Sequence, residues 1–189
     1  MPAGLETITF GVVADTHIPD RARKLPDGLL EKLAEAQVQQ ILHAGDASGW
    51  KVVRTLEGIA PVAIVQGNRD WLLGVRAPKH ISFTVNGVRI TLAHGHRSMF
   101  NYLIDKWAYI RKGYRFKRYY DQLTQDYPEA DVIVFGHTHR AYVRRIRDTL
   151  LVNPGAVSPT LREQPSVARM RLGAGEPEVE IIPISSGSK

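Results

Sequence analysis

The stretch Val132-Ile-Val-Phe-Gly-His-Thr-His139 places four apolar residues directly before a glycine and two histidines. The apolar run is typical of a buried strand, and paired histidines seldom end such a strand by accident. Alternate residues of an extended chain point the same way. If the chain stays extended there, His137 and His139 are therefore predicted to face one place.

Four other apolar runs end in the same manner. Each delivers Asp, Asn or His at its carboxyl end, usually beside a glycine that permits a sharp turn. These ends are Asp15-Thr-His17, Gly45-Asp46, Gly67-Asn68-Arg-Asp70 and His94-Gly-His96. Ligands bind outside the carboxyl ends of strands in open α/β sheets, so the five ends are predicted to form one site. His43 lies inside its strand and is predicted to be a core histidine.

The order of elements predicts an α/β fold. Strands and helices alternate over residues 8–65, which favours a parallel sheet covered by helices. Asn86-Gly87 then predicts a tight hairpin between strands 81–85 and 88–92. Two further hairpins are expected, one turning near residues 147–148 and one joining 167–172 to 179–184. We therefore expect two sheets packed face to face with helices outside, in one domain over residues 1–189.

Composition narrows the chemistry. The 189 residues include no cysteine, which excludes disulfides, thiolate metal sites and cysteine nucleophiles. No apolar run approaches the ~20 residues of a membrane span, and the first residues do not resemble a secretory signal, so a cytoplasmic location is expected. The formal net charge of +6 favours anionic partners.

The polar strand ends suggest a metal site. Imidazole and carboxylate together suit Mn, Fe, Zn, Ni or Co better than Mg or Ca, which prefer oxygen ligands alone. The collected side chains exceed the need of one ion. We therefore expect two divalent transition-metal ions, with Mn²⁺ as the first choice and Fe, Zn, Ni or Co as alternatives.

The five motifs together closely resemble those of the calcineurin-like metallophosphoesterases, and most of all the small bacterial and archaeal phosphodiesterases of the YfcE type. The resemblance implies an αββα sandwich of two mixed sheets with two bound metals. It implies that the first ion is held by Asp15, His17 and His139, and the second by Asn68, His94 and His137, with Asp46 bridging both. It also implies hydrolysis of a phosphate ester, most of all a diester, by in-line attack of a metal-bridging hydroxide.

One position departs from the family pattern. Many relatives carry a histidine, thought to protonate the leaving oxygen, where this chain has Arg69. A guanidinium cannot act as a general acid at ordinary pH, so Arg69 is expected to bind phosphate or stabilise charge. His96 then becomes the candidate proton donor, and Asp70 is expected to orient Asn68 or a histidine.

Residues 97–130 form a predicted helical elaboration that is rich in aromatic and basic residues. Core packing of the aromatics is the favoured interpretation. A cap that stacks a nucleotide or nucleic acid and an oligomer interface are the alternatives.

Two other functions compete with a phosphoesterase that acts on a small phosphate ester or nucleotide. One is a non-catalytic scaffold resembling the retromer subunit of this superfamily, and the other is a nucleic-acid binder.

Overall fold

The computed structural model of the protein describes residues 6–95, 116–158, 160 and 163–184. Within these residues the helices are α1 (Leu29–Glu35), α2 (Trp50–Glu57), α3 (Asn68–Leu72) and α4 (Phe116–Asp126). The strands are β1 (Ile8–Val13), β2 (Gln40–His43), β3 (Val62–Ile64), β4 (His80–Val85), β5 (Val88–Ala93), β6 (Val132–Val134), β7 (Ala141–Ile146), β8 (Thr149–Pro154), β9 (Ser166–Leu172) and β10 (Glu178–Pro183). None of the described helices has the length and apolarity needed to cross a bilayer.

The strands form two mixed sheets of five strands each. The first has the order β10-β9-β1-β2-β3, in which β1, β2 and β3 run parallel and β9 and β10 are antiparallel additions. The second has the order β4-β5-β6-β8-β7, with parallel β5, β6 and β8 between antiparallel edges. The predicted pair of sheets is therefore confirmed.

The two sheets pack face to face through alternate residues of their central strands. Phe10 and Val12 of β1 belong to the same buried cluster as Ile90 of β5 and Val132 of β6. Full burial of a large apolar side chain contributes about 1.5–3 kcal/mol, so this layer supplies much of the driving force that joins the sheets.

Helices cover the outer face of each sheet. On the first sheet, Leu33 of α1 and Leu56 of α2 pack with Ile41 of β2. On the second, Tyr120 and Leu123 of α4 belong to a separate buried cluster that includes residues of β6 and β8. The layers thus follow the predicted order αββα.

The predicted hairpins are confirmed. Asn86 and Gly87 take positive φ angles of 51° and 81°, as a tight two-residue turn requires. The hairpin of β7 and β8 turns at residues 147–148, and β9 pairs with β10. The short helix α3 was not predicted, because its residues were assigned only to a strand end.

The structure describes residues 116–130 of the predicted elaboration at 97–130. They form helix α4 and the loop that leads into β6. Tyr120 is buried while Arg118 is exposed, which agrees with core packing of the aromatics in this part. Residues 97–115 lie outside the described part of the chain, so the choice between core packing, cap and interface stays a prediction for them.

Candidate metal centre

The polar ends of five strands meet at one edge of the sandwich. β1, β2 and β3 of the first sheet lead into Asp15, Asp46 and Asn68, while β5 and β6 of the second lead into His94 and His137. Most of the predicted ligands are buried. His137 and His139, in the turn after β6, are half-buried. The carboxyl ends of the parallel strands in both sheets therefore deliver one cluster, as predicted.

One group of candidate ligands consists of Asp15, His17 and His139. The Nε2 atoms of the two histidines lie 3.2 Å apart. Asp15 Oδ1 is 3.4 Å from His139 Nε2 and 3.8 Å from His17 Nε2. All three offer a ligand atom within 4.8 Å of the others, so they are able to share one ion.

Asp46 lies between this group and the next. Its Oδ2 is 3.7 Å from His17 Nε2 and 3.6 Å from His94 Nε2. Its other oxygen, Oδ1, accepts the backbone N–H of Arg69 at 2.8 Å, which fixes the carboxylate in the turn. A single carboxylate oxygen thus faces two separate sets of imidazoles.

Asn68, His94 and His137 form the other side of the cluster. His94 Nδ1 donates to the carbonyl oxygen of Ala44 at 2.7 Å, which turns Nε2 toward Asn68 Oδ1, 3.1 Å away. The ring of His137 has its centroid 5.2 Å from that of His94.

The electrostatics of the cluster fit divalent cations. Among the described residues, the buried Oδ1 of Asp15 accepts no hydrogen bond. Burial lowers the pKa of His17 to about 3, so this imidazole is neutral and able to ligate at pH 7. Burial raises the pKa of Asp46, whereas the histidines around Asp15, with His139 foremost, overcome the burial of Asp15 and hold its pKa below its usual range. Burial opposes a proton on His139, but the Asp15 carboxylate overcomes it and holds the pKa of His139 above its usual value. Buried carboxylates and the neutral imidazole of His17 are donors that a transition metal takes.

The backbone at this cluster differs from the prediction. Asp15, His17, His137 and His139 have φ angles of 52°, 50°, 69° and 57°, so the chain is not extended at either Asp-Thr-His or His-Thr-His. The expectation that alternate side chains of an extended chain share a face was therefore wrong in its premise. His137 and His139 instead turn toward different halves of the cluster, His139 toward Asp15 and His17, and His137 toward His94.

Asp70 holds the turns that follow β2 and β3 by hydrogen bonds to their backbone. Its carboxylate accepts the backbone N–H groups of Asp46 at 2.8 Å, Ser48 at 2.7 Å and Gly67 at 2.9 Å. Its hydrogen bonds therefore go to the main chain, and not to the side chain of Asn68 or to a histidine as expected. Asp70 positions the strand ends that carry Asp46 and Asn68.

His43 is a buried core histidine, as predicted. Burial lowers its pKa to about 4, so the ring is neutral at pH 7. Nδ1 accepts the N–H of Gly45, and Nε2 lies 3.3 Å from Thr16 Oγ1, which itself donates to the carbonyl oxygen of Ala47. This chain of hydrogen bonds ties the turn after β1 to the turn after β2.

Asn153 holds the turn after β6 and was missed as a positioning residue. Its Nδ2 donates to the carbonyl oxygen of Gly136 at 2.8 Å and to Thr138 Oγ1 at 3.2 Å. Its Oδ1 accepts the N–H of Gly155. The sequence signal was the Asn-Pro-Gly turn that ends β8.

Of the two remaining predicted catalytic residues, Arg69 is described by the structure and His96 is not. Arg69 is part-exposed beside the cluster, with its Nε 3.5 Å from Asp20 Oδ2. Asp20 was not singled out from the sequence, since a lone aspartate after Ile-Pro carries no motif. His96 lies outside the described residues.

Gly67 is expected to tolerate no side chain. A Cβ at this position would fall 2.7 Å from Asp46 Cγ, inside van der Waals contact. We expect Gly67→Ala to destabilise the fold by about 1–3 kcal/mol and to weaken metal binding, because Asp46 must move. Urea unfolding and a calorimetric Mn²⁺ titration measure both effects. Gly175→Ala is the control, since a Cβ there meets open space. Equal results for the two variants would show that the Gly67 contact does not constrain Asp46.

Comparison with known proteins agrees with this geometry. The family model described as calcineurin-like phosphoesterase superfamily domain matches residues 8–175. A probable metallophosphoesterase of Methanothermobacter thermautotrophicus is 34% identical over 173 residues, covering 92% of this chain and 91% of that protein. A phosphodiesterase of Methanocaldococcus jannaschii is 22% identical over 84% of this chain and 89% of its own.

The solved structure of Vacuolar Protein Sorting 29 from Cryptosporidium parvum has the same fold, with a TM-score of 0.74 at 23% identity over 96% of this chain and 94% of its own. The family model spans most of the sequence, and the relative from Methanothermobacter exceeds 30% identity over nearly the full length of both proteins. The chain belongs to the calcineurin-like phosphoesterase superfamily.

Proposed function

We propose that this protein is a phosphodiesterase that works with two divalent transition-metal ions, Mn²⁺ in first place. The observation that carries the proposal is the position of Asp46 Oδ2, within 3.7 Å of imidazole nitrogens from two separate groups. Membership of a metal-dependent phosphoesterase family supports hydrolysis of a phosphate ester. The phosphodiesterase among the relatives favours a diester.

The candidate ligands divide into the two sets that the resemblance implies. Asp15, His17 and His139 would hold one ion, Asn68, His94 and His137 the other, and Asp46 would contact both. Bound divalent ions supply Lewis acidity, which activates water and stabilises charge on the phosphate. Asp15 also ties the two sheets together, because its Oδ2 accepts the backbone N–H of His137 at 3.0 Å.

Arg69 is the proposed phosphate-binding side chain. Arg69 directly follows Asn68, and its backbone N–H donates to Asp46 Oδ1. Its side chain therefore starts beside the candidate ligands. A guanidinium offers paired donors that match two phosphate oxygens. It does not release a proton to a leaving alkoxide, so diesters with acidic leaving groups, such as aryl esters, are expected to react faster than alkyl esters.

Metal removal tests the proposal. Chelator-stripped protein is expected to hydrolyse bis(4-nitrophenyl) phosphate at least about 10²-fold more slowly than the loaded protein, because the positive charge that stabilises the transition state is gone. Added Mn²⁺ should restore the rate, and Ca²⁺ is the matched control that should not. Metal analysis of the same samples should show two ions per chain when the rate is restored.

Full activity after complete stripping would refute the metal mechanism. Tight Mn²⁺ binding without turnover of any phosphate ester would instead favour the alternative of a metal-binding scaffold on this fold. Affinity for nucleic acid that falls steeply with salt and ignores the chelator would favour the third function. The cytoplasmic location stays a prediction.

A further inference from the structure

The carboxylate of Asp20 lies between two functional side chains from different strand ends. Its Oδ2 is 3.7 Å from Nδ1 of His17, which follows β1, and 3.5 Å from Nε of Arg69, which lies in α3 after β3. Asp20 lies in an exposed turn, but its side chain folds toward the cluster and is only 21% exposed. One oxygen atom therefore faces a candidate metal ligand and the proposed phosphate-binding residue together.

His17 presents a buried nitrogen that requires an acceptor. Its Nε2 faces Asp15, Asp46 and His139, so a neutral ring that ligates through Nε2 carries its proton on Nδ1. Among the described residues this buried Nδ1 has no hydrogen-bond partner. Leaving a buried donor unpaired costs about 1–3 kcal/mol. Asp20 Oδ2 is the acceptor in place to receive that proton after a small movement.

Arg69 presents the complementary need. Its backbone is fixed by the hydrogen bond to Asp46, but its side chain is 37% exposed and long. Holding such a side chain in one rotamer works against roughly 2 kcal/mol of conformational entropy. Asp20 contacts the guanidinium through Nε. The two terminal amino groups therefore stay available for phosphate oxygens.

We propose that Asp20 is a positioning residue that holds the Arg69 guanidinium toward the substrate phosphate and accepts a hydrogen bond from the Nδ1–H group of His17. The Arg69 part of this inference rests on the proposed phosphoesterase function, whereas the His17 part rests on metal binding alone. Asp20 itself contacts neither substrate nor metal in this role. It acts through the two side chains that its carboxylate orients.

Two variants of Asp20 separate the two contacts. Asp20→Asn keeps an oxygen that accepts the His17 proton but loses the charge that attracts Arg69, whereas Asp20→Ala loses both. In calorimetric titration of stripped protein, Asp20→Ala is expected to bind Mn²⁺ about 10–100-fold more weakly, and Asp20→Asn to retain most of the affinity. Asp27→Asn is the control, since Asp27 pairs with Lys24 in an exposed turn.

Inorganic phosphate tests the Arg69 contact in the Mn²⁺-loaded protein. Both Asp20 variants are expected to bind phosphate about 10-fold more weakly than wild type. In an Arg69→Ala background, Asp20→Asn should add no further loss, because its effect passes through the guanidinium. A merely structural role would not produce this coupling or the partial rescue by asparagine.

The inference is overturned if Asp20→Ala matches Asp27→Asn in Mn²⁺ affinity, or if the losses of phosphate affinity from Asp20 and Arg69 simply add. These outcomes are separate from those for the proposed function. A wild-type protein that binds Mn²⁺ and phosphate with the expected variant pattern, yet hydrolyses no ester, would refute the enzyme and support the role of Asp20.

Discussion

Asp46→Asn is expected to lower kcat/KM for an aryl phosphodiester by about 10³-fold, the upper end of what loss of one electrostatic stabiliser costs. Asparagine keeps the shape of the side chain and an oxygen for the Arg69 N–H. It removes the negative charge from the atom that lies between His17 and His94. The number of bound metal ions should fall from two to one. Steady-state kinetics and metal analysis of the same preparation measure both effects.

The matched control for Asp46→Asn is Asp148→Asn, because Asp148 is exposed in the turn between β7 and β8. It should leave kinetics and metal content unchanged. His94→Ala should resemble Asp46→Asn, with the exposed His80 replaced by alanine as its control. Turnover by Asp46→Asn within a few-fold of Asp148→Asn would show that Asp46 does not bridge two ions.

Asp70→Ala is expected to reduce the free energy of unfolding of the metal-free protein by about 4 kcal/mol or more, because each unpaired buried donor costs about 1–3 kcal/mol. The substitution leaves the N–H groups of Asp46, Ser48 and Gly67 without their acceptor. Urea unfolding monitored by circular dichroism measures the loss. Metal affinity should fall as well, since the turns that carry Asp46 and Asn68 lose their common support.

Asp70→Asn should lie between Asp70→Ala and wild type. Its single oxygen replaces Oδ2, which accepts two of the three N–H groups, while its amide group faces the third donor. Asp148→Asn again serves as the control at an exposed position. If Asp70→Ala unfolded at the same urea concentration as that control, the three hydrogen bonds would contribute nothing net to stability.

The features that were predictable from sequence are those with local causes. Asn86-Gly87 specifies its turn by the backbone angles that the two residues readily adopt, and the hairpin has the expected register. The polar strand ends were recognisable because an apolar run precedes each of them and a glycine usually lies beside it. Their meeting follows from the parallel strands, whose carboxyl ends share one edge.

The features that were not predictable depend on contacts between distant parts of the chain. Asp20 reaches Arg69 only when the turn after β1 meets α3, 49 positions away. The left-handed turn at Asp15 and His17 is held by backbone hydrogen bonds to the carbonyl oxygens of Gly45 and Asp46, so alternation along an extended strand was the wrong model. Strand order within each sheet likewise depends on pairing between remote segments, such as β1 with β9.

At the candidate ligands, the left-handed backbone makes thermal stability compete with the proposed hydrolytic activity. Each non-glycine residue in that region carries a penalty on the order of 1 kcal/mol, and His139, at a φ of 57°, is one of them. Glycine there would relax the main chain while deleting an imidazole. A laboratory selection for heat resistance alone, with no demand for the proposed activity, is therefore expected to enrich glycine at residue 139 and to remove a candidate metal ligand before it alters the apolar layers.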